Sequence, residues 1–127
     1  MTEITATFTV ESWDEEPIAE VDGASKLTRA LVTKSYAGGI EGTSTTEWLM
    51  SYAADGTATF VGMERIRGDI DQRHGTFVVQ HVGRFADGAA TADLTVVAGA
   101  GSGRLADLTG TGDFKADTNG TVTLRLG

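Results

Sequence analysis

The sequence predicts an all-β protein whose single domain, residues 1–127, folds as an eight-stranded antiparallel β-barrel. Apolar residues recur at every second position, as in "ITATFTV" at 4–10, a pattern typical of a strand with one buried face. Glycine, asparagine and aspartate interrupt such runs at short intervals, as they do where a chain reverses direction. The chain has 127 residues, of which 40% are hydrophobic, and this is enough for one core but not for two.

Dipeptides between the apolar runs predict the strand boundaries. Asp55-Gly56, Asp87-Gly88 and Asn119-Gly120 favour two-residue hairpin turns, in which both central residues need a positive φ, and Gly38-Gly39 is a fourth candidate. Extending outward from the turns gives eight strands: 3–12, 25–36, 40–53, 57–68, 75–85, 90–98, 111–117 and 121–126. Strands joined by tight turns run antiparallel, and closure into a barrel removes exposed edges. A two-sheet sandwich is the alternative architecture.

Charge and composition exclude several classes of function. The net charge of -8 repels a phosphate backbone, so nucleic-acid binding is not expected. No segment approaches the roughly 18 apolar residues of a membrane span, and the start "MTEITATF" has no basic region or apolar stretch of secretory type, which favours the cytoplasm. The absence of cysteine excludes disulfides, thiolate metal sites and cysteine nucleophiles.

The glycine-rich stretch "VVAGAGSGRLADLTGTGDF" at 96–114 raises the question of a phosphate-binding loop. Such a loop needs a helix directly after it, so that the helix N-terminus meets the phosphates. The downstream segment "LADLTGTG" is too short and too rich in glycine for that helix. We therefore expect these glycines to serve tight bends and positive φ angles at a barrel corner, and we expect no cofactor.

Two glutamates are the main candidates for chemistry. If Asp55-Gly56 is a two-residue turn, Glu47 lies directly opposite Glu64, with Cβ atoms about 5 Å apart. Like charges in that position destabilise a sheet, and a shared proton, which raises one pKa, would make the pair a general acid and base. The other interpretation is that the pair faces solvent or is neutralised by a cation. The candidate cations are Arg29, Lys34 and Arg65.

His81 and Gln80 are the candidate partners of the glutamates. If Asp71-Gln72 forms the next turn, Gly62 pairs with His81, and the glutamates and His81 line one interior. A register slipped by one residue brings Gln80 beside Glu64 instead. The candidate catalytic residues are therefore Glu47, Glu64, His81 and Gln80.

The residues that would line a ligand cavity depend on which face of this hairpin points into the barrel, because both faces are apolar. One face carries the glutamates with Leu49 and Phe60, and the other carries Trp48 and Met63. The candidate ligand-binding residues are Trp48, Leu49, Phe60 and Phe77, although aromatic residues in strands are core residues by default. Histidine, aspartate and glutamate do not cluster at metal-ligand spacing, so no metal is expected.

Five separated segments carry a family resemblance. They are "SWDEEP" (12–17), "KLTRALVTKSYAGGIEG" (26–42), "EWLMSY" (47–52), "DGTATFVGMERIRG" (55–68) and "GTFVVQHVGRF" (75–85). In this order they resemble a bacterial family of small proteins of unknown function, which is assigned an allene-oxide-cyclase-like, lipocalin-like barrel. The segment at 101–114 resembles one that allene oxide cyclases and plant dirigent proteins carry between late strands. The resemblance implies a barrel with a central cavity, a tendency to oligomerise, and catalysis that holds an apolar molecule and steers protons.

Three functions are compatible with such a barrel. The leading hypothesis is a cytoplasmic isomerase- or cyclase-type catalyst acting on a small apolar molecule, the second is a non-catalytic carrier, and the third is an oligomeric structural module. An enzyme predicts a raised glutamate pKa beside an open cavity, and a carrier predicts a cavity without titrating groups. A structural module predicts no cavity. The expected partners are a small apolar molecule and further copies of the chain, with no nucleic acid and no membrane.

Overall fold

The computed structural model, which describes residues 2–117 and 119–127, contains nine β-strands. They are β1 (Thr2–Pro17), β2 (Leu27–Gly38), β3 (Glu41–Tyr52), β4 (Ala58–Ile70), β5 (Arg73–Ala86), β6 (Ala89–Val96), β7 (Ser102–Gly103), β8 (Gly110–Ala116) and β9 (Gly120–Leu126). None of the described residues belongs to a helix with the length and apolar character needed to cross a membrane.

The strands form one closed antiparallel barrel. Their order is β4-β3-β2-β1-β9-β8-β6-β5, and β4 also pairs with β5, which closes the sheet on itself. The short strand β7, which the sequence pattern did not predict, pairs with β5 beyond the end of β6. The eight-stranded barrel is therefore confirmed. The sandwich alternative is wrong, because the β4–β5 pairing leaves a single closed sheet.

Alternate residues of the strands fill the barrel with side chains. The core includes Phe8, Trp48, Phe60, Phe77 and Phe114, none of which is more than 4% exposed. Residues between these positions point outward, as the period of two predicts. At the end of the barrel near β7, the turn after that strand adds two further buried side chains, which are Leu105 and Leu108.

The turns at either end of β5 have the predicted geometry. Asp71-Gln72 and Asp87-Gly88 each form a two-residue turn in which both φ angles are positive, between 55° and 76°. Gly62 consequently pairs with His81, and His81 pairs with Leu94. The register that places His81 on the inner face is confirmed.

The β3–β4 turn is one residue longer than predicted. Asp55 and Gly56 do lie in it, but the loop also contains Ala54, and the amide of Ala53 donates to the carbonyl of Thr57. The amide of Gly56, whose φ is 89°, donates back to the carbonyl of Ala53. This is a three-residue hairpin that ends on a glycine in the left-handed region. The additional residue shifts the register by one, which turns every side chain of one strand to the other face.

The predicted facing pair of glutamates is therefore wrong. Glu64 pairs with Thr46 on the inner face, whereas Glu47 pairs with Met63 on the outer face. The Glu47 side chain is 56% exposed, and its Oε1 lies 3.5 Å from Nε of Arg29. Glu47 thus matches the alternative interpretation, in which it faces solvent beside a cation.

The other two predicted turns differ from each other. β2 ends at Gly38 with a φ of 97°, and Gly39 lies in the connection to β3, as expected. Gly120, by contrast, is the first residue of β9 and pairs with Ala116. The prediction that Gly120 is the second residue of a two-residue turn is therefore wrong. Thr118, in the same connection, lies outside the described residues.

The glycine-rich stretch forms the connection from β6 through β7 into β8. Gly99 and Gly103 have φ angles of 81° and 61°, and Gly110, the first residue of β8, has a φ of 149°. These are values that favour glycine over residues with a Cβ atom. The expected role of this stretch in bending the backbone at a barrel corner is confirmed.

Candidate functional site in the barrel interior

Glu64 lies at the centre of a buried polar cluster and is 2% exposed. The hydroxyls of Tyr36 and Ser44 donate to its Oε2 at 2.6 and 2.5 Å. Nε2 of His81 lies 2.8 Å from Oε1, and Nζ of Lys34 lies 3.6 Å from the same oxygen. Two hydroxyls, an imidazole and a cation thus surround one carboxylate.

Four neighbouring strands bring these groups together. Lys34 and Tyr36 are alternate residues of β2, Ser44 is on β3, Glu64 is on β4 and His81 is on β5. Each occupies an inward position of its strand, and Lys34 pairs directly with Ser44. The cluster therefore follows from strand order and from side-chain alternation along each strand.

The His81 ring is held on both of its nitrogen atoms. Nε1 of Trp48 donates to Nδ1 of His81 at 3.1 Å, so Nδ1 carries no proton. The proton is on Nε2, which donates to Glu64. Gly62 pairs with both Trp48 and His81, and a Cβ atom there would come within 2.5 Å of the Trp48 indole. A glycine at this position lets the indole reach the imidazole.

Lys34 is enclosed by aromatic rings. Its Nζ lies 4.5 Å from the ring centroid of Phe8 and 5.2 Å from those of Trp48 and Phe114. No residue in the part of the chain that the structure describes forms a hydrogen bond with this nitrogen. Aromatic faces attract a cation, so three rings and the Glu64 carboxylate together stabilise the charge.

The protonation of the cluster follows from competition between burial and neighbouring charge. Burial alone would raise the pKa of Glu64, but the charge of Lys34 and the hydrogen bonds from His81 and Ser44 lower it to about 2. Burial lowers the pKa values of Lys34 and His81, and Glu64 offsets part of each shift. Burial and then Glu64 raise the pKa of Tyr36 well above 10. Near neutral pH, Glu64 is ionised and His81 is neutral, so the raised glutamate pKa expected of an enzyme is not found.

A second polar group lies where β1 extends past β9. The pairing of β1 with β9 ends at Phe8, whereas β1 continues along β2 after a bulge. In this extension, Glu15 accepts hydrogen bonds from Trp13, Thr28 and Tyr52. The Trp13 ring packs edge-on against Trp48, with centroids 5.4 Å apart, and Trp13 is 46% exposed. Trp13 therefore separates Trp48, the hydrogen-bond partner of His81, from solvent.

Five of the predicted site residues lie inside the barrel. Glu64 and His81 are in direct contact, and the Trp48 ring lies 5.8 Å from His81 and 4.8 Å from Phe60. Phe77 is also buried in the core.

Three predicted residues lie on the outer surface and are not part of this cluster. Glu47 and Leu49 point outward because of the longer β3–β4 turn, and Leu49 is 47% exposed. Gln80 pairs with Met63 on the outer face, so the slipped register that would bring it beside Glu64 is not adopted.

Sequence reasoning missed most of the groups that surround Glu64. The sequence pattern does not single out Tyr36 and Ser44, and it indicates Lys34 only as a cation that would neutralise the glutamates. A signal does exist, because Lys34 and Tyr36 continue the inward positions of Ala30 and Val32 on one strand. A lysine in step with a buried apolar run indicates a buried charge that needs a partner.

The surface grooves that the structure describes lie on the outside of the barrel, and of the groups that surround Glu64 only Ser44 borders one of them. The largest of them, about 680 Å³, is lined by residues of β4, β5, β6 and β8, including Val82 and Asp93. None of the described grooves is lined by Glu64, His81 or Lys34. Among residues 2–117 and 119–127, no three histidine or acidic side chains are grouped so that they could hold a metal ion.

Comparison with known proteins supports the family resemblance. The family model described as "Protein of unknown function (DUF3224)" matches residues 4–127. A crystal structure of a protein with unknown function from the DUF3224 family of Shewanella oneidensis MR-1 is similar to this one, with a TM-score of 0.85 and 29% sequence identity over 100% of this chain and 97% of that chain. No curated protein matches the chain. The chain, a closed eight-stranded barrel with a buried polar cluster, belongs to the DUF3224 family.

Proposed function

We propose that the barrel interior binds a small apolar molecule and moves a proton on it, as an isomerase- or cyclase-type catalyst. The observation that carries the proposal is the buried hydrogen bond of 2.8 Å between Glu64 and His81. A carboxylate that accepts one ring N–H of a neutral histidine leaves the other ring nitrogen unprotonated, and an unprotonated ring nitrogen can take up and return a proton. Glu64 and His81 form such a pair in a mostly apolar interior.

The filled interior fits a structural module, but a purely structural role does not account for the ionisable groups of the cluster. Buried ion pairs lose so much solvation that apolar side chains of similar volume often replace them without loss of stability. Lys34, Glu64 and His81 occupy core positions, each at most 2% exposed, that this barrel could fill with apolar residues. Ionisable groups with shifted pKa values in such positions are more common at functional sites.

The proposed roles are not those of a glutamate pair that shares a proton. Glu64 stays ionised because of its lowered pKa and acts as a positioning residue for His81. Nδ1 of His81 is the proton acceptor, and Lys34 supplies positive charge for an oxyanion that develops on the substrate. The indole N–H of Trp48 occupies Nδ1, so a substrate has to displace it. Trp13, which is half exposed over Trp48, is the side chain whose movement would admit the substrate.

The resemblance to allene oxide cyclases favours the same class of chemistry, and the assignment to that subtype of barrel is part of this proposal. A carrier would use the same interior without proton transfer. Residence in the cytoplasm also remains a prediction from the sequence.

The proposed activity is tested with a β,γ-unsaturated ketone that carries an aryl tail. The reaction followed is the isomerisation of this ketone to its conjugated α,β-unsaturated form. Moving the double bond requires removal of one proton and return of another, and absorbance follows the conjugated product. We expect the wild-type protein to accelerate this reaction, and we expect His81→Gln to lower kcat/KM by about a hundredfold because the proton acceptor is lost. Gln80→Ala changes the adjacent residue on the outer face and should leave the rate unchanged.

Two results would contradict the proposal. One is the absence of both turnover and ligand-induced thermal stabilisation across a range of apolar ketones and epoxides, which favours the structural module. The other is thermal stabilisation without turnover, which favours the carrier.

An apolar patch on the outer face supports a second function, that of an oligomeric module. Leu49, Val61 and Val82 are paired in register across β3, β4 and β5, and each is 46–51% exposed. Met63 extends the patch along β4. Such patches often mark protein contacts, and the Arg29–Glu47 ion pair next to this one offers both signs of charge to a second copy.

Val61→Lys tests this second function. A lysine in the middle of the patch should shift the molar mass from that of an oligomer to that of a single chain, as measured by light scattering with size-exclusion chromatography, because burying its charge opposes contact. Thr121→Lys is the matched control, since Thr121 is exposed on β9, on the opposite side of the barrel. A wild-type protein that is already a single chain, or an oligomer unaffected by Val61→Lys, would exclude this face as the contact.

A further inference from the structure

Lys34 has hydrogen-bonding requirements that its surroundings do not meet. Its side chain is 0% exposed, and within the described chain nothing accepts a hydrogen bond from Nζ. Oε1 of Glu64 is 3.6 Å away, which is longer than a normal N–H···O hydrogen bond. An ammonium carries three N–H donors, and buried donors without acceptors are unfavourable.

The surroundings of Nζ suit a nitrogen with fewer donors. The rings of Phe8, Trp48 and Phe114 favour positive charge but cannot replace three acceptors. A protonated imine keeps the positive charge and has only one N–H, for which the single carboxylate of Glu64 is sufficient.

We infer that Lys34 forms an imine with an apolar aldehyde or ketone bound in the barrel, with Glu64 as the counter-charge. The inference rests on the proposed function, because it requires a small apolar molecule beside Glu64 and His81. It narrows the substrate class to carbonyl compounds and gives Lys34 a covalent role.

The step balances without an oxidant or reductant. The neutral amine of Lys34 attacks the carbonyl carbon, a C–N bond forms, and a proton moves from nitrogen to oxygen to give a carbinolamine. The proton that the Lys34 ammonium gave up to become the neutral amine then returns to the hydroxyl group, the C–O bond breaks and water leaves. The Lys34 ammonium and the carbonyl compound thus give the protonated imine and water. Oε1 of Glu64 lies 3.6 Å from Nζ of Lys34 and 2.8 Å from Nε2 of His81, so this oxygen connects Lys34 with the residue that would hold the proton in transit. Burial favours the neutral amine that must react, since it lowers the pKa of Lys34.

Reductive trapping tests the inference on the wild-type protein. Nonanal is added with sodium cyanoborohydride, which converts an imine to a stable secondary amine, and peptide mass spectrometry locates the adducts. We expect Lys34 to be modified about tenfold faster than the exposed Lys26 and Lys115, although it is buried. Nonanol, which has the same chain but no carbonyl group, should slow the modification by competition. Lys34→Arg keeps the charge and should remove the preferential adduct.

The outcomes separate this inference from the proposed function. Modification of Lys34 no faster than that of Lys26 and Lys115 overturns the inference. If nonanol still raises the Tm in that case, the small-molecule site stands and only the imine is wrong. If nonanol does not raise the Tm either, both proposals fail. In urea, where the chain is unfolded, the three lysines should react at equal rates, which shows that any preference comes from the fold.

Discussion

Replacement of Glu64 by glutamine is expected to lower the free energy of unfolding by about 3–5 kcal/mol. The amide keeps the shape of the side chain but removes the negative charge that lies 3.6 Å from Lys34, which leaves a buried cation without a partner. The glutamine NH2 group is itself a donor, so it cannot accept the hydrogen bonds that the carboxylate accepts from Tyr36, Ser44 and His81. Urea denaturation followed by tryptophan fluorescence measures the loss.

Glu47→Gln is the matched control for this substitution. It makes the same chemical change on the neighbouring strand, at a side chain that is 56% exposed. Exposed ion pairs contribute little, so we expect a change within about 0.5 kcal/mol. A Glu64→Gln variant as stable as the Glu47→Gln variant would contradict the view that the buried charges depend on each other.

Lys34→Met in the Glu64→Gln background distinguishes loss of charge balance from loss of packing. Once the cation is gone, glutamine no longer leaves a buried charge unpaired. The double variant should therefore lose less free energy of unfolding than the sum of the losses in the two single variants. We expect a coupling of about 1–3 kcal/mol, as found for residues in direct contact. Strictly additive losses would mean that the two groups do not interact.

The fold was predictable because it depends on features that repeat. Alternation of apolar residues and the turn dipeptides were sufficient for eight strands, their antiparallel order and the closed barrel. The turns at Asp71-Gln72 and Asp87-Gly88 also fixed the inward position of His81, because a two-residue turn leaves only one register.

The side of the sheet on which Glu47 lies was not predictable, because it depends on whether one residue, Ala54, belongs to the β3–β4 loop. The same Asp55-Gly56 dipeptide fits a two-residue turn and the three-residue loop that includes Ala54. Two-residue and three-residue loops are both common hairpin connections, yet exchanging one for the other turns a whole strand to the opposite face. Trp48 on β3 and Phe60 on β4 are both apolar residues that the core can accept, and the choice between loops is made by packing across the barrel rather than by the turn sequence.

The polar cluster was only partly predictable for a similar reason. Glu64 and His81 were found because they are unusual residues in apolar strands. Their partners Tyr36 and Ser44 are ordinary strand residues, and only the closed strand order brings their hydroxyls to the same carboxylate. That convergence also reverses the predicted pKa shift of Glu64, because a second glutamate would raise it, whereas Lys34 lowers it.

Acidification from about pH 5 to about pH 2 is expected to remove about 3 kcal/mol of stability through Glu64 alone. The pKa of Glu64 is about 2 in the folded barrel, against an ordinary value of 4.5. Between these values the unfolded chain binds a proton that the folded chain does not. The stabilisation is therefore present above about 4.5 and is lost as the pH falls toward 2. His81 acts in the same direction at higher pH, because burial lowers its pKa and the unfolded chain is protonated first below about 6.5.

Urea denaturation across this pH range assigns each loss to its group. His81→Gln should remove the decline that begins just below about pH 6.5, and the Lys34→Met/Glu64→Gln double variant should remove the decline below about pH 4.5. Glu47→Gln should keep both declines, because its carboxylate is exposed and outside the cluster. If the double variant loses as much stability as the wild type on acidification, the acid sensitivity belongs to the many surface carboxylates of this acidic chain. In that case the ionised state of Glu64 does not contribute to holding the barrel interior together.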